Sequence, residues 1–312
     1  MTNRLYYKYS EYLKEKYNNK VYKIPVNINT TCPNRDGNIG FGGCIFCGEE
    51  GAGFELLDKE NSIKKQIKKN KEFIINKYKA EKFIIYFQNY TNTYLKFNIF
   101  RKYILDSICD DVVEISISTR PDCITDEILL FLKDIKDKYS ININFELGLQ
   151  TCNYKTLKKL NRGHTLAEYI HAVNKLKKYN FEVCTHIILN LPWDDEDDVV
   201  ENAKILSSLE VDTVKIHSLY ILKDTLLGNM YEKNKVKIIS KDDYLKNVIL
   251  FLEYLNPDIG IQRLFSRAPK ERTLFCNWDT SWWKLKDQLI ESMKEKKAYQ
   301  GKNFNYLEPK KN

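Results

Sequence analysis

Six short apolar, β-branched runs recur along the chain and alternate with longer stretches of helical periodicity. The runs are VYKIPVNIN (21–29), KFIIYF (82–87), VVEISIS (112–118), NINFELGLQ (142–150), FEVCTHIILNL (181–191) and TVKIHSLYIL (213–222). Helix-like segments lie near 61–80, 96–109, 125–138, 153–179, 195–209 and 241–255. Strands alternating with helices point to βα units and a parallel sheet. Because such connections are right-handed, every strand C-terminus opens onto one face, and chemistry gathers there. Polar residues do sit where the runs end: Thr30 and Cys32, Gln88 and Asn89, Thr119 and Arg120, Gln150, Asn190, then His217 and Ser218. The expected fold is therefore α/β, a partial, TIM-like (β/α)6 barrel in preference to a doubly wound sheet. Its core is expected over 21–257, after an N-terminal extension (1–20) and before a C-terminal, aromatic and basic, α-rich appendage (258–312).

Hydrophobic residues make up 43% of the 312, enough for a large core, which excludes wholesale disorder. No run of 18 apolar residues occurs and the N-terminus is polar, so neither a membrane span nor a secretory signal is expected. The eight cysteines divide into a cluster of three and five scattered residues, unlike the dense staples of a small secreted fold, and a reducing cytoplasm is the expected location. The formal charge of +8 reflects abundant lysine. Arginine is scarcer and more telling, because its planar fork grips carboxylates, phosphates and base edges. Six of the eight, Arg35, Arg120, Arg162, Arg263, Arg267 and Arg272, fall in segments that other features single out. Thr165 with Glu168 and Ser240 with Asp243 have capping-box spacing. The acidic run 194–198 opens a helix, where negative charge suits the dipole, so it is read as structural.

The sharpest chemical signal is Cys32-Pro-Asn-Arg-Asp-Gly-Asn-Ile-Gly-Phe-Gly-Gly-Cys44-Ile-Phe-Cys47. Thiolates are soft ligands that suit zinc or iron–sulfur clusters. Gly37, Gly40, Gly42 and Gly43 let backbone wrap round a ligand, and Gly48, Gly51 and Gly53 extend that freedom. A structural zinc needs a fourth ligand, usually from a second C-x2-C pair, and the sequence has none. Three thiolates suit a [4Fe–4S] cluster with one open iron; zinc and a redox dithiol at Cys44/Cys47 are the alternatives.

This triad, with YFQNYTNTY, ISTRPDCITDE, ELGLQTCNYKTLKKLNRGHT, KIHSLYILKDTLL and IQRLFSRAP…NW, resembles the YhcC-like radical S-adenosylmethionine (SAM) family, over nearly the whole chain from about Tyr6 to Trp278. The resemblance implies a radical SAM barrel in which Cys32, Cys44 and Cys47 ligate three irons of a [4Fe–4S] cluster, SAM chelates the fourth, and a donated electron yields a 5′-deoxyadenosyl radical. Relatives end the second strand in a Gly-Gly-Glu-like turn; here Gln88-Asn89-Tyr90 stands there, which implies backbone contacts to SAM. Gln150 and Arg162 match a Gln/Arg pair that relatives place on SAM, and Arg162 suits a carboxylate. Ser118 and His186 occupy positions where relatives carry an acidic residue toward the ribose or amino group of SAM. Arg120, closing the third strand, joins these cofactor-binding candidates.

Glu146 sits mid-strand, where a carboxylate is costly unless it points into the barrel mouth or is paired; a ligand or SAM-binding role is read for it. His217, near the end of the sixth run, is a substrate-contact candidate or a satisfied core histidine, and His164 caps a helix or touches substrate. The tail from 261 interleaves Arg263, Arg267 and Arg272 with Phe and with Trp278, Trp282 and Trp283. Cations beside stacking aromatics suit RNA contact; an amphipathic segment packing on the barrel is the alternative. Kinship with the Elongator catalytic subunit implies a tRNA substrate and the C5 substituent of the wobble uridine, carboxymethylaminomethyl going to aminomethyl. A flavodoxin or ferredoxin is the expected reductant. Two other functions remain open: a radical SAM enzyme acting on a small metabolite or porphyrin-type cofactor, and a non-catalytic iron–sulfur or haem-handling protein.

Overall fold

The computed structural model describes residues 4–48 and 62–307; Gly51 and Gly53 lie outside them. The strands are β1 (Val21–Val26), β2 (Lys82–Phe87), β3 (Val112–Thr119), β4 (Asn142–Gln150), β5 (Glu182–Ile188), β6 (Thr213–His217), β7 (Tyr220–Leu222), β8 (Gly260–Arg263) and β9 (Thr273–Cys276). The helices are α1 (Tyr9–Tyr17), α2 (Ile63–Tyr78), α3 (Phe97–Asp106), α4 (Asp126–Tyr139), α5 (Tyr154–Lys159), α6 (Leu166–Lys178), α7 (Glu196–Ser208), α8 (Leu226–Glu232), α9 (Lys241–Tyr254) and α10 (Trp282–Glu295). Seven strands form one parallel sheet in the order β1-β2-β3-β4-β5-β6-β8, a curled partial barrel with helices on its outer side.

All six apolar runs are strands, and the sheet has one more than they announce. β8 pairs with β6 through Thr213↔Gly260 and Val214↔Ile261. Its residues, Gly-Ile-Gln-Arg, include one β-branched side chain, too weak a pattern to read as a strand. Gly260 allows a close approach there: a Cβ would lie 3.2 Å from the Tyr12 ring and 3.1 Å from Thr213, tight enough that these neighbours would have to shift. The segment 258–312 thus gives the sheet its edge strand, while β9 and α10 pack beyond it. The sixth run splits at Ser218, whose hydroxyl donates to Asn277 Oδ1 at 2.6 Å, and Asn190 Oδ1 accepts from the Leu219 amide at 2.6 Å. β7 leaves the main sheet there and pairs antiparallel with β9. The expected helix over 153–179 breaks into α5 and α6 across Asn161 and Gly163, both at positive φ, and restarts at the Thr165/Glu168 capping box.

Period-2 alternation sorts the strand side chains. Ile85, Phe87, Ile115, Ile117, Phe145, Leu147, Val183, Ile187, Val214 and Ile216 are buried against the helices, each contributing about 1.5–3 kcal/mol of transfer free energy. The opposite set, Ser116, Ser118, Asn144, Glu146, Cys184, His186, Lys215 and His217, lines the inside. Helix α1, within the extension, closes the N-terminal end of the barrel. Tyr17 Oη donates to Glu114 of β3 at 2.7 Å, and Lys16 pairs with both Glu114 and Glu182. The Ile261 amide donates to the Tyr7 carbonyl at 2.7 Å, which ties the N-terminal segment to the edge strand β8.

Candidate active site

At the C-terminal mouth of the barrel the loop after β1 carries Cys32, Cys44 and Cys47, all three on the wall of one cavity of about 1290 Å³ that runs down the barrel interior. Arg35 holds this loop by donating to the carbonyls of Cys47 (2.8 Å) and Gly48. Gly43 has φ +83°, and a Cβ there would meet the Arg35 side chain at 3.0 Å, so glycine is required. Burial and the neighbouring Cys44 raise the Cys47 thiol pKa, against the opposing pull of Arg35 and Arg162. Among the described residues, one group of three ligating side chains converges within 4.8 Å, and it is not the triad but Glu146, Cys184 and His186. A tetrahedral zinc with Zn–S near ~2.3 Å draws thiolates to about 3.8 Å of one another. The wider triad therefore fits a multi-iron cluster better than a single ion.

The cavity brings most of the expected cofactor residues to this end. Arg162 donates from Nη1 to Cys44 Sγ (3.2 Å) and from Nη2 to the Gly148 carbonyl (2.6 Å). Its buried Nε has no partner among the described residues, a donor left for a ligand. His164 meets Arg162 Nη2 at 3.0 Å; burial, Arg162 and Arg120 push its pKa down to about 2, so the ring is neutral and accepts. Gln150, at the end of β4 with φ +79°, sits where the β4–β5 register shifts; a Cβ on Gly148 would lie 3.1 Å from both Gln150 and Arg162. Side chains 12 positions apart thus meet over one glycine. Arg120 is clamped by Asp122 (2.7 and 2.9 Å) and donates to the Arg162 carbonyl at 2.7 Å. Gln88 and Ser118 line the same cavity.

Other expected residues stand apart. Asn89 turns into its own loop, Oδ1 accepting from the Tyr90 amide at 3.1 Å. Trp278 donates to the Ile239 carbonyl at 2.9 Å and packs on Tyr244. Arg272 faces Asp224 at 3.7 Å, away from the cavity lining. Arg263 and Arg267 do line the cavity, and Arg267 lies over the Trp282 ring at 4.4 Å.

Deeper in the barrel is a charged layer. Glu146 is 1% exposed; Oε1 pairs with Lys23 and accepts from Ser116 Oγ at 3.1 Å, while Oε2 pairs with Lys215 and with His186 Nε2 at 2.8 Å. Lys215 also donates to Tyr86 Oη (3.1 Å), which meets Ser118 Oγ at 2.9 Å. Lys23 also donates to Gln262 Oε1 at 2.8 Å. Burial pushes the Glu146 carboxyl up, but Lys215, Lys23 and His186 outweigh it and hold it well below the usual carboxylate range. With ammonium groups on both its oxygens, Glu146 does not make a cation site with Cys184 and His186. Lys23, Lys215 and Tyr86 were not among the expected site residues. The rule that flagged Glu146 applies equally to a lysine inside V-Y-K-I-P or T-V-K-I-H.

The His186 and His217 rings lie 5.2 Å apart at a 40° tilt, and His217 Nδ1 meets Ser266 Oγ at 3.2 Å. Burial and Lys215 lower the His186 pKa to about 4; burial, His186 and Arg263 lower that of His217 well below its ordinary value. These two and His164 are neutral when folded, yet unfolded they titrate near ~6.5. Stability is therefore complete above that pH and declines on acidification, because the unfolded chain takes up protons that the folded chain refuses. Each histidine adds a slope approaching about 1.4 kcal/mol per pH unit between the unfolded and folded values. Urea unfolding at pH 7.5, 6.0 and 5.0 is expected to show a steep fall in stability; equal midpoints would contradict this electrostatic picture.

A parallel partial barrel with a cysteine triad at its C-terminal mouth is the arrangement expected of a radical SAM enzyme. The Radical SAM superfamily profile matches residues 26–206, and the Radical_SAM C-terminal domain profile matches 211–295. The chain is 35% identical over 308 residues to the uncharacterized protein YtqA of Bacillus subtilis (98% of this chain, 95% of that protein). It is 29% identical over 272 residues to protein YhcC of Escherichia coli (87% and 86%). The archaeal Methanocaldococcus infernus Elp3, N-terminally truncated, shares the fold with a TM-score of 0.67 at 18% identity, covering 90% of this chain and 64% of that one. The chain belongs to the radical SAM superfamily and, within it, to the YhcC-like family. It is a radical SAM enzyme, and a [4Fe–4S] cluster and SAM are the cofactors of its superfamily.

Proposed function

We propose that this enzyme acts on tRNA at the C5 substituent of the wobble uridine, converting carboxymethylaminomethyl to aminomethyl: the methylene between nitrogen and acid would be oxidised by two electrons, with SAM as oxidant, and hydrolysis of its C–N bond would release the fragment as a two-carbon 2-oxo acid. The cavity carries this reading: about 1290 Å³ of space is lined by Arg263 and Arg267, by the cysteine triad and by the charged interior. Such a space takes a splayed-out nucleotide with an extended polar substituent. On the cavity wall, Arg267 over the Trp282 ring, beside Trp283 at 55% exposed, offers a phosphate contact next to aromatic faces. A cytoplasmic location goes with the tRNA substrate, and no helix among the described residues is long and apolar enough to cross a membrane.

When bound, the cluster and SAM supply the 5′-deoxyadenosyl radical. Cys32, Cys44 and Cys47 would hold the cluster. Arg162, Gln150 and Ser118 would orient SAM, with Gln88 and Arg120 shaping that wall and His186 and His217 facing the substrate side. An acidic flavodoxin or ferredoxin suits the basic chain as reductant. Mass spectrometry of tRNA nucleosides from a deletion strain tests the reading. Carboxymethylaminomethyl-uridine is expected to accumulate, and aminomethyl-derived nucleosides to vanish; an unchanged profile would overturn it. Arg263→Ala with Arg267→Ala is expected to weaken retention on bulk tRNA and to flatten its salt dependence, by about one unit of slope for each phosphate that is no longer neutralised. Filter binding across a salt series measures that slope.

A further inference from the structure

The charged layer is overbuilt for holding one carboxylate. Glu146 brings one negative charge, Lys23 and Lys215 bring two positive ones, and His186 is neutral. Each ammonium carries three donors. Lys23 uses two, on Glu146 and Gln262, and Lys215 uses two, on Glu146 and Tyr86. One donor on each is left, and both side chains line the cavity. The Tyr86 ring lies 4.7 Å from Lys23 Nζ and 4.6 Å from Lys215 Nζ, so an aromatic face shields the pair from one side. Arg263 adds a further positive charge to the same wall. Two unused ammonium donors beside open space call for an acceptor, and a carboxylate suits both.

We infer that Lys23 and Lys215 form a carboxylate-binding subsite that seats the acid group of the substrate, with Glu146 holding the two ammonium groups in place. The inference rests on the proposed function for the identity of that acid, the carboxymethyl end of the C5 substituent. Depth distinguishes the subsite from the cofactor end. Glu146 precedes the strand terminus at Gln150 by four residues, about 13 Å at the usual rise per strand residue. A carboxylate seated there leaves the adjoining methylene on the side facing the triad. The subsite also separates substrate from product, because the aminomethyl product has lost the acid and keeps only its protonated amine, which this layer repels.

The test uses the reconstituted holoenzyme and two free nucleosides, 5-carboxymethylaminomethyluridine and 5-aminomethyluridine, with binding followed by calorimetry. Wild type is expected to prefer the acid. Lys23→Gln and Lys215→Gln each leave one lysine on Glu146, so the layer becomes neutral without an orphaned charge. Each is expected to weaken binding of the acid by roughly 10- to 100-fold and to leave the amine bound as tightly or more tightly, because part of the repulsion is removed. Lys215→Arg is expected to restore part of the preference. Thermal midpoint and iron content verify that the variants are folded and loaded. Equal binding of the two nucleosides by wild type, or an unaltered preference in both glutamine variants, would overturn the subsite. Turnover of carboxymethylaminomethyl-tRNA is measured alongside. Turnover without lysine-dependent selectivity defeats the subsite alone, and lysine-dependent selectivity without turnover defeats the tRNA reading alone.

Discussion

Cys44→Ala, prepared anaerobically with iron and sulfide, is expected to lack the visible iron–sulfur absorption. It should also cleave SAM more than about a thousandfold more slowly than wild type, the scale of effect when one member of an interdependent catalytic unit is removed. Cys44 is buried, within reach of Asn34 and Arg162. Cys32→Ala and Cys47→Ala are expected to behave alike, because each thiolate would hold a different iron. Cys109→Ala supplies the contrast. That thiol bonds weakly to the Ser107 carbonyl at 3.9 Å, is absent from the cavity wall, and its removal should leave iron content unchanged. Iron quantitation and 5′-deoxyadenosine release decide the matter. Full iron content in all three triad variants would remove the cluster from this site.

The second large effect concerns stability. Glu146→Gln leaves Lys23 and Lys215 facing one another around a neutral amide, in a layer where the carboxylate was 1% exposed. Removing one partner of a buried ion pair costs about 3–5 kcal/mol, because the remaining charge is left uncompensated. For a chain of this size that lowers the thermal midpoint by roughly 6–15 °C. The effect should be full at neutral pH. Glu146 is held well below the usual carboxylate range, so its contribution is present above the unfolded value and disappears only as pH falls through the depressed folded one. Adding Lys215→Gln to Glu146→Gln removes one orphaned cation and is expected to recover part of the stability. A double-mutant cycle by differential scanning calorimetry measures that coupling. Additive effects would show that the three side chains do not act as a unit.

Much of the fold was legible because one-dimensional signals suffice for it. Buried parallel strands read as continuous apolar runs, and all six runs became strands. Thr165 and Ser240 mark helix starts because a capping hydroxyl must sit beside the amides it satisfies. Short, sparse or polar elements were not legible: β8 with its single β-branched residue, α8, and α1 inside what reads as a plain extension. The break between α5 and α6 was equally hidden, although it is what turns Arg162 back onto Cys44.

The sequence by itself determined the βα alternation, the polar strand ends and the spacing of Cys32, Cys44 and Cys47, since each of these depends on neighbours along the chain. Tertiary structure alone decided which distant side chains share the barrel interior. Gln150 and Arg162 meet over Gly148, Arg267 finds Trp282, and Lys23, Glu146 and Lys215 converge from three strands. Their electrostatics exist only once the sheet curls, because the curl removes water and brings charges from β1, β4 and β6 into contact. A lysine in an apolar run is a local anomaly in the sequence, and only the closed barrel makes two of them a site.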